Sequence, residues 1–248
     1  MSGEEVVKSV GRVFEVLELF GNAREPLSAT DVERQLNYPQ SSTLALMKSL
    51  VKLGYFSFDR IERTYFPTMR VAHLGEWLET SMYGNGQLPA LIDEISELTG
   101  ETVSISCQND LEMQFVQIRA GTRPLMVNIQ PGSFAPLFNS AIGWTALSVR
   151  PDTDIAKLVA RYNRRSRSAE RAPAALPELM KEVSAVRERG YGLGYDTYVP
   201  SVGAITWAIP GGSSVRPLVL SVAGPTESIR AEADDIVRHV RSAFKAYL

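Results

Sequence analysis

The sequence predicts a protein of mixed class, α/β in content and α+β in order. A small helical head carrying a β-hairpin comes first, then one connecting helix, then a larger antiparallel sheet with helices on its face. Three observations support this. Leu27–Phe66 reads as two short helices about a tight turn, followed by two aromatic-rich strands. Val103–Cys107, Gln114–Ala120, Leu125–Ile129, Gly203–Ile209 and Pro217–Val222 are strand-like and meet about polar turns, so they are expected to pair as hairpins. Runs with apolar residues at helical spacing flank these strands, and such elements pack in layers.

The elements follow in order. Ser9–Phe20 places Val10, Val13, Leu17 and Phe20 on one helical stripe, widened by Phe14 and Val16, and Gly21-Asn22 closes it. Ser28 with Asp31 three residues on is a helix cap for a run whose Leu27, Val32 and Leu36 share a side. Asn37-Tyr38-Pro39 ends that helix, because the residue before a proline avoids the α region. The next helix starts at Pro39 to Ser41, with Leu46, Leu50 and Leu53 as the expected buried stripe and Gly54 at its end. Its hydroxyls come early, in Gln40-Ser41-Ser42-Thr43, and Lys48 and Lys52 follow at helical spacing. A recognition helix needs that arrangement: its N-terminal residues enter a DNA groove while later turns pack on the domain. Tyr55–Phe58 and Thr64–Phe66 form a hairpin whose tip carries Arg60 and Arg63, the wing of a winged helix-turn-helix. An ordinary helical hairpin with hydroxyls used only as caps is the plainer reading.

Arg70–Tyr83 repeats apolar residues (Val71, Leu74, Leu78, Met82) at helical spacing and is expected to link the domains and pack on a partner chain; Gly84-Asn85-Gly86 marks the boundary. The expected domains are 1–69, a linker helix over 70–86, and 87–248. In the last, Leu88–Leu98 is helical and ends at Gly100, Pro131-Gly132-Ser133 is a turn, and Pro136–Ser148 begins as a loop and becomes a helix. Asp152–Tyr162 is helical. Arg161–Arg171 holds five arginines and reads as a solvated loop, with a second nucleic-acid patch as the alternative. Glu178–Arg189 is helical, Gly192-Leu193-Gly194 is read as a turn, and Thr226 is expected to cap a final helix burying Ile229, Ala233, Ile236, Val237, Val240 and Phe244.

Composition bounds the function. The 248 residues allow one or two domains, and 44% hydrophobic with 22% charged residues is a soluble globular balance. The single cysteine, Cys107, excludes an intrachain disulfide framework and fits a reducing compartment. No apolar run is long enough for a bilayer, and the acidic start is unlike a signal peptide, so a cytoplasmic location is expected. Net charge is −2, and residues 1–70 hold nine basic and nine acidic side chains. From Lys48 to Arg70, however, five basic residues face two acidic ones, a local excess of +3. That footprint is modest, so a dimer doubling the patch is expected for useful DNA binding.

Four blocks resemble those of IclR-family transcriptional regulators: SVGRVFEVLELF with PQSSTLALMKSLVKLGYF, the wing running into RVAHLGEW, PLFNSAIGWTALS, and RERGYGLGYD followed by VGAITWAIP and LSVAGP. The resemblance implies a winged helix-turn-helix, a dimerising linker helix and a GAF-like effector domain, with dimers that pair into tetramers on DNA. Two departures stand out. The family's basic residue midway along the recognition helix is replaced by Leu44-Ala45. That leaves Gln40, Ser41, Ser42, Thr43, Lys48, Arg60, Arg63 and DNA shape to carry recognition. In the effector domain, Gly143-Trp144 stands where the family tends to have Gly-Lys, and Tyr198-Val199 where it often has an acidic pair.

The resemblance also implies an effector site at Val127, Ala135, Ala141, Ile142, Asp196, Ala204, Thr206, Ser221 and Ala223. Phe134, Phe138, Trp144, Tyr198 and Trp207 lie close by in sequence, and Asp196 is the only charged residue among the matched positions. A carboxylate ligand wants a cation or a nest of amides, whereas flat rings with few polar handles suit an aromatic or mostly apolar metabolite, which is the expectation. Core filling is the plainer fate for each aromatic. Catalysis finds little support and an enzyme is the third reading: His73 and His239 lie outside any nucleophile motif and no Gly-x-Ser-x-Gly elbow is present. Neither a cofactor loop nor zinc spacing is found. The expected partners are double-stranded operator DNA, a small-molecule effector and further copies of the chain; a GAF-like ligand-binding protein without specific DNA binding is the alternative.

Overall fold

The computed structural model describes residues 7–75, 87–166, 172–209 and 217–247. The chain divides into two compact units, Met1–Met82 and Tyr83–Leu248. The expected Gly84-Asn85-Gly86 boundary lies outside the described residues, as do the second half of the linker helix and the turn at 210–214.

In the first unit, α1 (Lys8–Ala23), α2 (Ala29–Leu36) and α3 (Gln40–Lys52) pack on a three-stranded sheet of β1 (Leu27–Ser28), β2 (Phe56–Asp59) and β3 (Thr64–Pro67), in the order β1-β3-β2. Residues 69–75 begin a further helix, α4. Ser28 closes a capping box: its hydroxyl accepts from the Asp31 N–H while the Asp31 carboxylate accepts from the Ser28 N–H. That hydrogen bonding holds the Asp31 carboxyl below its ordinary value. Asn37 ends α2 in the left-handed region, φ 53°.

The core is built from Val16, Phe20, Val32, Met47, Leu50, Phe56 and Tyr65. Its axis along α1 differs from the expected stripe, because Val10 and Phe14 are 49% and 60% exposed while Val16 is fully buried. On α3, likewise, Thr43, Met47 and Leu50 face inward and Leu53 lies 58% exposed at the C-cap. Spacing alone places a stripe on a helix, and the angle at which the helix meets its neighbours decides which edge of that stripe is covered.

The second unit is a six-stranded antiparallel sheet, β6-β5-β4-β9-β8-β7, built from β4 (Thr102–Asn109), β5 (Glu112–Arg119), β6 (Phe134–Pro136), β7 (Gly192–Tyr195), β8 (Val202–Ala208) and β9 (Leu218–Pro225). On one side α6 (Ala141–Ser148) crosses the sheet and packs on α8 (Leu176–Arg189), with α7 (Asp152–Ser166) joining that core. α5 (Leu88–Thr99) packs with α10 (Ala233–Tyr247), and α9 (Thr226–Ala231) contacts β8 and β9.

Four expectations are corrected. Leu125–Ile129 is irregular rather than a strand; Leu125 is exposed, and β5 pairs instead with Phe134–Pro136. Gly192–Gly194 is strand, not turn. A Cβ on Gly192 would lie 2.3 and 2.4 Å from the hydroxyls of Thr145 and Thr206, so the glycine serves close approach of α6 to the sheet. The first arginines of 161–171 belong to α7, where Arg161 and Arg165 pair with Asp110; 167–171 lies outside the described residues. The C-terminal run is two helices broken at Glu232. Thr226 makes no cap there, and its hydroxyl donates to Asp196 instead.

Candidate nucleic-acid interface and effector cavity

The exposed side of α3 is short, small and mostly polar. Gln40, Ser41, Lys48, Ser49 and Lys52 are exposed, with Leu44 and Ala45 between them. Ser42 is half-buried. Thr43 is a correction to the expected interface: it is 1% exposed, and its hydroxyl donates to Pro39 O at 3.2 Å. It sits on the inner face because 43, 47 and 50 follow one helical stripe.

The N-terminus of α3 carries a second feature. Pro39 is the N-cap and offers no side-chain acceptor, so no side-chain cap takes the first N–H groups of the helix. Such a terminus suits a phosphate oxygen, both by hydrogen bonding and by the helix dipole.

The wing is set beside this helix by the hairpin register Asp59↔Thr64. The Asp59 carboxylate accepts from the Ile61 and Glu62 N–H groups at 2.7 and 3.1 Å, which stiffens the tip. Arg60 and Arg63 are exposed there, Arg63 at φ 55°. Arg70 is tied back instead, donating to Leu53 O at 2.9 Å and lying over the Tyr55 ring. Below the helix pair, Tyr38 donates to Glu15, and burial together with that carboxylate pushes its phenol up to about 12.

In the second unit, the start of α6 roofs a small, partly open cavity of about 50 Å³. Its walls are Phe115 of β5, Val127 and Ile129 of the irregular stretch, Ser140, Ala141 and Ile142 at the head of α6, and Gly194. Thr197, Tyr198 and Val199 of the loop after β7 line it too, with Val202, Ala204, Ser221 and Ala223 of the sheet. None of these described residues is charged. The Ser140 hydroxyl caps α6 by accepting from Gly143 N–H at 3.1 Å and donates to Pro136 O. Ala141 and Ile142, the first two helical residues, both line the cavity. Burial raises the Tyr198 phenol above its ordinary value although the residue as a whole is 39% exposed.

The irregular wall is fastened from behind. The Thr102 hydroxyl donates to Val127 O at 2.8 Å. Arg123 donates to Thr99 O, takes the Glu232 carboxylate with two nitrogens at 2.8 and 2.6 Å, and lies 3.2 Å from the buried Glu101. The Arg123 guanidinium accordingly holds the Glu232 carboxyl below its ordinary range.

Of the expected effector positions, Val127, Ala141, Ile142, Tyr198, Ala204, Ser221 and Ala223 meet at this cavity. The others do not line it. Trp207 belongs to the other face of the sheet: it neighbours Thr206, and strand alternation forbids both from facing α6. Thr206 is spent in the floor, bonded to Thr145 Oγ1 at 2.6 Å and donating to Ala141 O. Asp196 fastens the loop, its carboxylate accepting from Ser201 N–H at 2.6 Å and Thr226 Oγ1 at 2.9 Å. Ala135 is buried in β6. Phe138 and Trp144 line a different, open cleft. The walls missed from sequence include Phe115 and Ile129; alternation with buried Met113 marked Phe115 as inward-facing, whereas nothing local marked Ile129.

Among the described residues, no helix is long and apolar enough to cross a membrane, and no group of three or more His, Cys, Asp or Glu could hold a metal ion.

A helix-turn-helix head and a separate antiparallel-sheet domain with a small cavity are the parts of a helix-turn-helix transcriptional regulator. Comparison with known proteins agrees. Residues 87–246 match the model of the bacterial transcriptional regulator IclR C-terminal domain, and residues 9–60 that of the IclR helix-turn-helix domain. The chain belongs to the IclR family of transcriptional regulators.

It is 25% identical over 186 residues to the HTH-type transcriptional regulator KdgR of Escherichia coli, covering 75% of this chain and 70% of that one. It is also 25% identical over 238 residues to TsaQ1/TsaQ2 of Comamonas testosteroni, covering 92% and 82%. Among solved structures, the Thermotoga maritima IclR superposes with a TM-score of 0.64 at 16% identity over 97% of this chain and 98% of that one, a likeness of fold. KdgR and TsaQ1/TsaQ2 are HTH-type transcriptional regulators.

Proposed function

We propose that this regulator is ligand-responsive: α3 and the wing bind operator DNA, and the cavity under α6 takes a small uncharged metabolite, aromatic or mostly apolar, that modulates that binding. The observation that carries the ligand class is the absence of any charged side chain among the described cavity walls. A carboxylate buried there would meet no cation to offset its desolvation. An aromatic ring would meet Phe115, Tyr198 and aliphatic walls, with the Ser221 hydroxyl as a polar handle.

At about 50 Å³ the cavity has room for one or two waters, each occupying about 30 Å³ in the liquid. Ligand entry therefore displaces a wall. The Asp196–Ser201 loop is the wall that gives, because Tyr198 and Val199 are each 39% exposed whereas Ser221 and Ala223 of the sheet are buried.

On the DNA side, the uncapped α3 terminus and Ser41 take a phosphate, Gln40 and Lys48 reach the groove, and Arg60 and Arg63 hold the flank. Leu44 and Ala45 face outward where an arginine would read guanine, so apolar contact with thymine methyl groups replaces it. A dimer supplies two such heads, and displacement of the loop changes their spacing.

The test is a fluorescence anisotropy titration on the DNA upstream of the protein's own gene, at two salt concentrations, with and without neutral aromatic compounds and simple keto acids. Specific binding with steep salt dependence that aromatic compounds alter is expected. Keto acids stabilising the protein while aromatic compounds do not would overturn the ligand class.

A further inference from the structure

We propose a second ligand site in the C-terminal domain, one for an organic cation with an aromatic or alkyl body. It is an open cleft of about 740 Å³ on the other side of the segment that roofs the effector cavity, and it goes beyond the reading above. That volume falls in the range of small-molecule sites. Its wall is aromatic: the Phe138 and Tyr162 rings meet at 4.9 Å, tilted by 58°, and Trp144 is locked beside them by its indole N–H donating to Phe138 O at 3.1 Å. Its rim is acidic: Glu112, Glu178 and Glu182 come from β5 and two successive turns of α8, and no cationic side chain is among the described lining residues.

The two halves of this lining ask for the same ligand. Carboxylates attract a cation, and ring faces attract it again through their quadrupole while covering its apolar body. An anion or a neutral ring would gain from only one of them or from neither. The cleft is also physically joined to the effector cavity. Phe138 and Trp144 face the cleft while Ser140 and Ile142, between them in the chain, face the cavity. Occupying the cleft therefore bears on the head of α6.

The experiment is isothermal titration calorimetry of the full-length protein with benzyltrimethylammonium, benzyl alcohol and benzoate as probes. The variants are Glu178→Gln/Glu182→Gln, Phe138→Leu and, in the other cavity, Ala204→Val. Glu178 is exposed and Glu182 half-buried, so that pair of substitutions leaves the fold intact. The cation is expected to bind the wild-type protein at least tenfold more tightly than benzyl alcohol or benzoate. Its affinity falls tenfold or more in the double glutamine variant and several-fold in Phe138→Leu, and is kept within twofold in Ala204→Val. Failure of the cation to bind, or equal affinity in the wild-type and double glutamine proteins, would overturn the site. Benzyl alcohol reports on the effector cavity separately. Its binding is lost in Ala204→Val and kept in the glutamine variant if the uncharged-ligand reading holds, so either site can fail without the other.

Discussion

Two helices of similar composition, α3 and α6, are used in opposite ways. Both are rich in small residues and hydroxyls near the start, QSST in one and SAIGWT in the other. α3 buries a single stripe and leaves Gln40, Ser41, Ala45, Lys48 and Lys52 to solvent, whereas every residue of α6 from Ala141 to Leu147 is buried. α3 begins at a proline with no side-chain cap; α6 begins at a serine whose hydroxyl is bonded on both sides. The contrast teaches what a helix start is for. Where it faces solvent its unsatisfied N–H groups remain available to another molecule, and where it faces protein they must be satisfied internally.

The largest test of this contrast is packing. A Cβ on Gly143 would fall 2.0 Å from Leu137 O, so Gly143→Ala is expected to destabilise the C-terminal domain by about 3 kcal/mol. The outward-facing exchange Ala45→Gly should cost no more than about 1 kcal/mol, and urea denaturation measures both. Equal losses would break the comparison.

Next comes capping. Ser140→Ala removes a buried two-sided hydrogen bond and should cost about 2 kcal/mol, while Ser41→Ala should leave stability unchanged and weaken DNA binding. If Ser41→Ala lowers the melting temperature and leaves DNA affinity intact, α3 is not a recognition helix.

The third test concerns pH. The Asp31 carboxyl titrates below its ordinary 3.8 in the folded protein, chiefly because Ser28 donates to it. Its contribution is therefore fully present above 3.8 and is lost as pH falls through the lowered folded value. Ser28→Ala should cost about 1 kcal/mol at neutral pH and flatten the acid limb of stability, read by thermal melts from pH 2 to 6.

The smallest effect is electrostatic. Lys48→Ala should reduce the slope of log affinity against log salt by about 1, with no change in stability.

How far the residues alone led differs between the two regions. The head was legible because its signals are local: the Ser28/Asp31 capping box, Asn37 before Tyr38-Pro39, and the hairpin about Asp59–Arg63 each act within a few residues. Even so, the pattern QSST does not say where the core lies, and Thr43, expected among the DNA contacts, faces inward. In the second region the antiparallel pairing was legible from alternation. The cavity was legible only in part, since its walls come from five separate stretches. Thr206 and Trp207 could have been separated by the period of a strand, but the loss of Asp196 to loop fastening depends on Thr226, thirty residues away.

The sequence by itself determined the helices of the head, its hairpin and most of the paired strands of the sheet, because caps, turns and periodicity are written in neighbouring residues; Leu125–Ile129, Gly192–Gly194 and the break at Glu232 were not legible that way. Only the tertiary structure decided which face of each helix meets solvent, that Phe138 and Trp144 look into an acidic cleft while Ser140 and Ile142 look into an uncharged cavity, and that Gly192 exists to admit Thr145 and Thr206. Those outcomes depend on close packing between stretches distant in the chain, where a single Cβ is enough to forbid the arrangement.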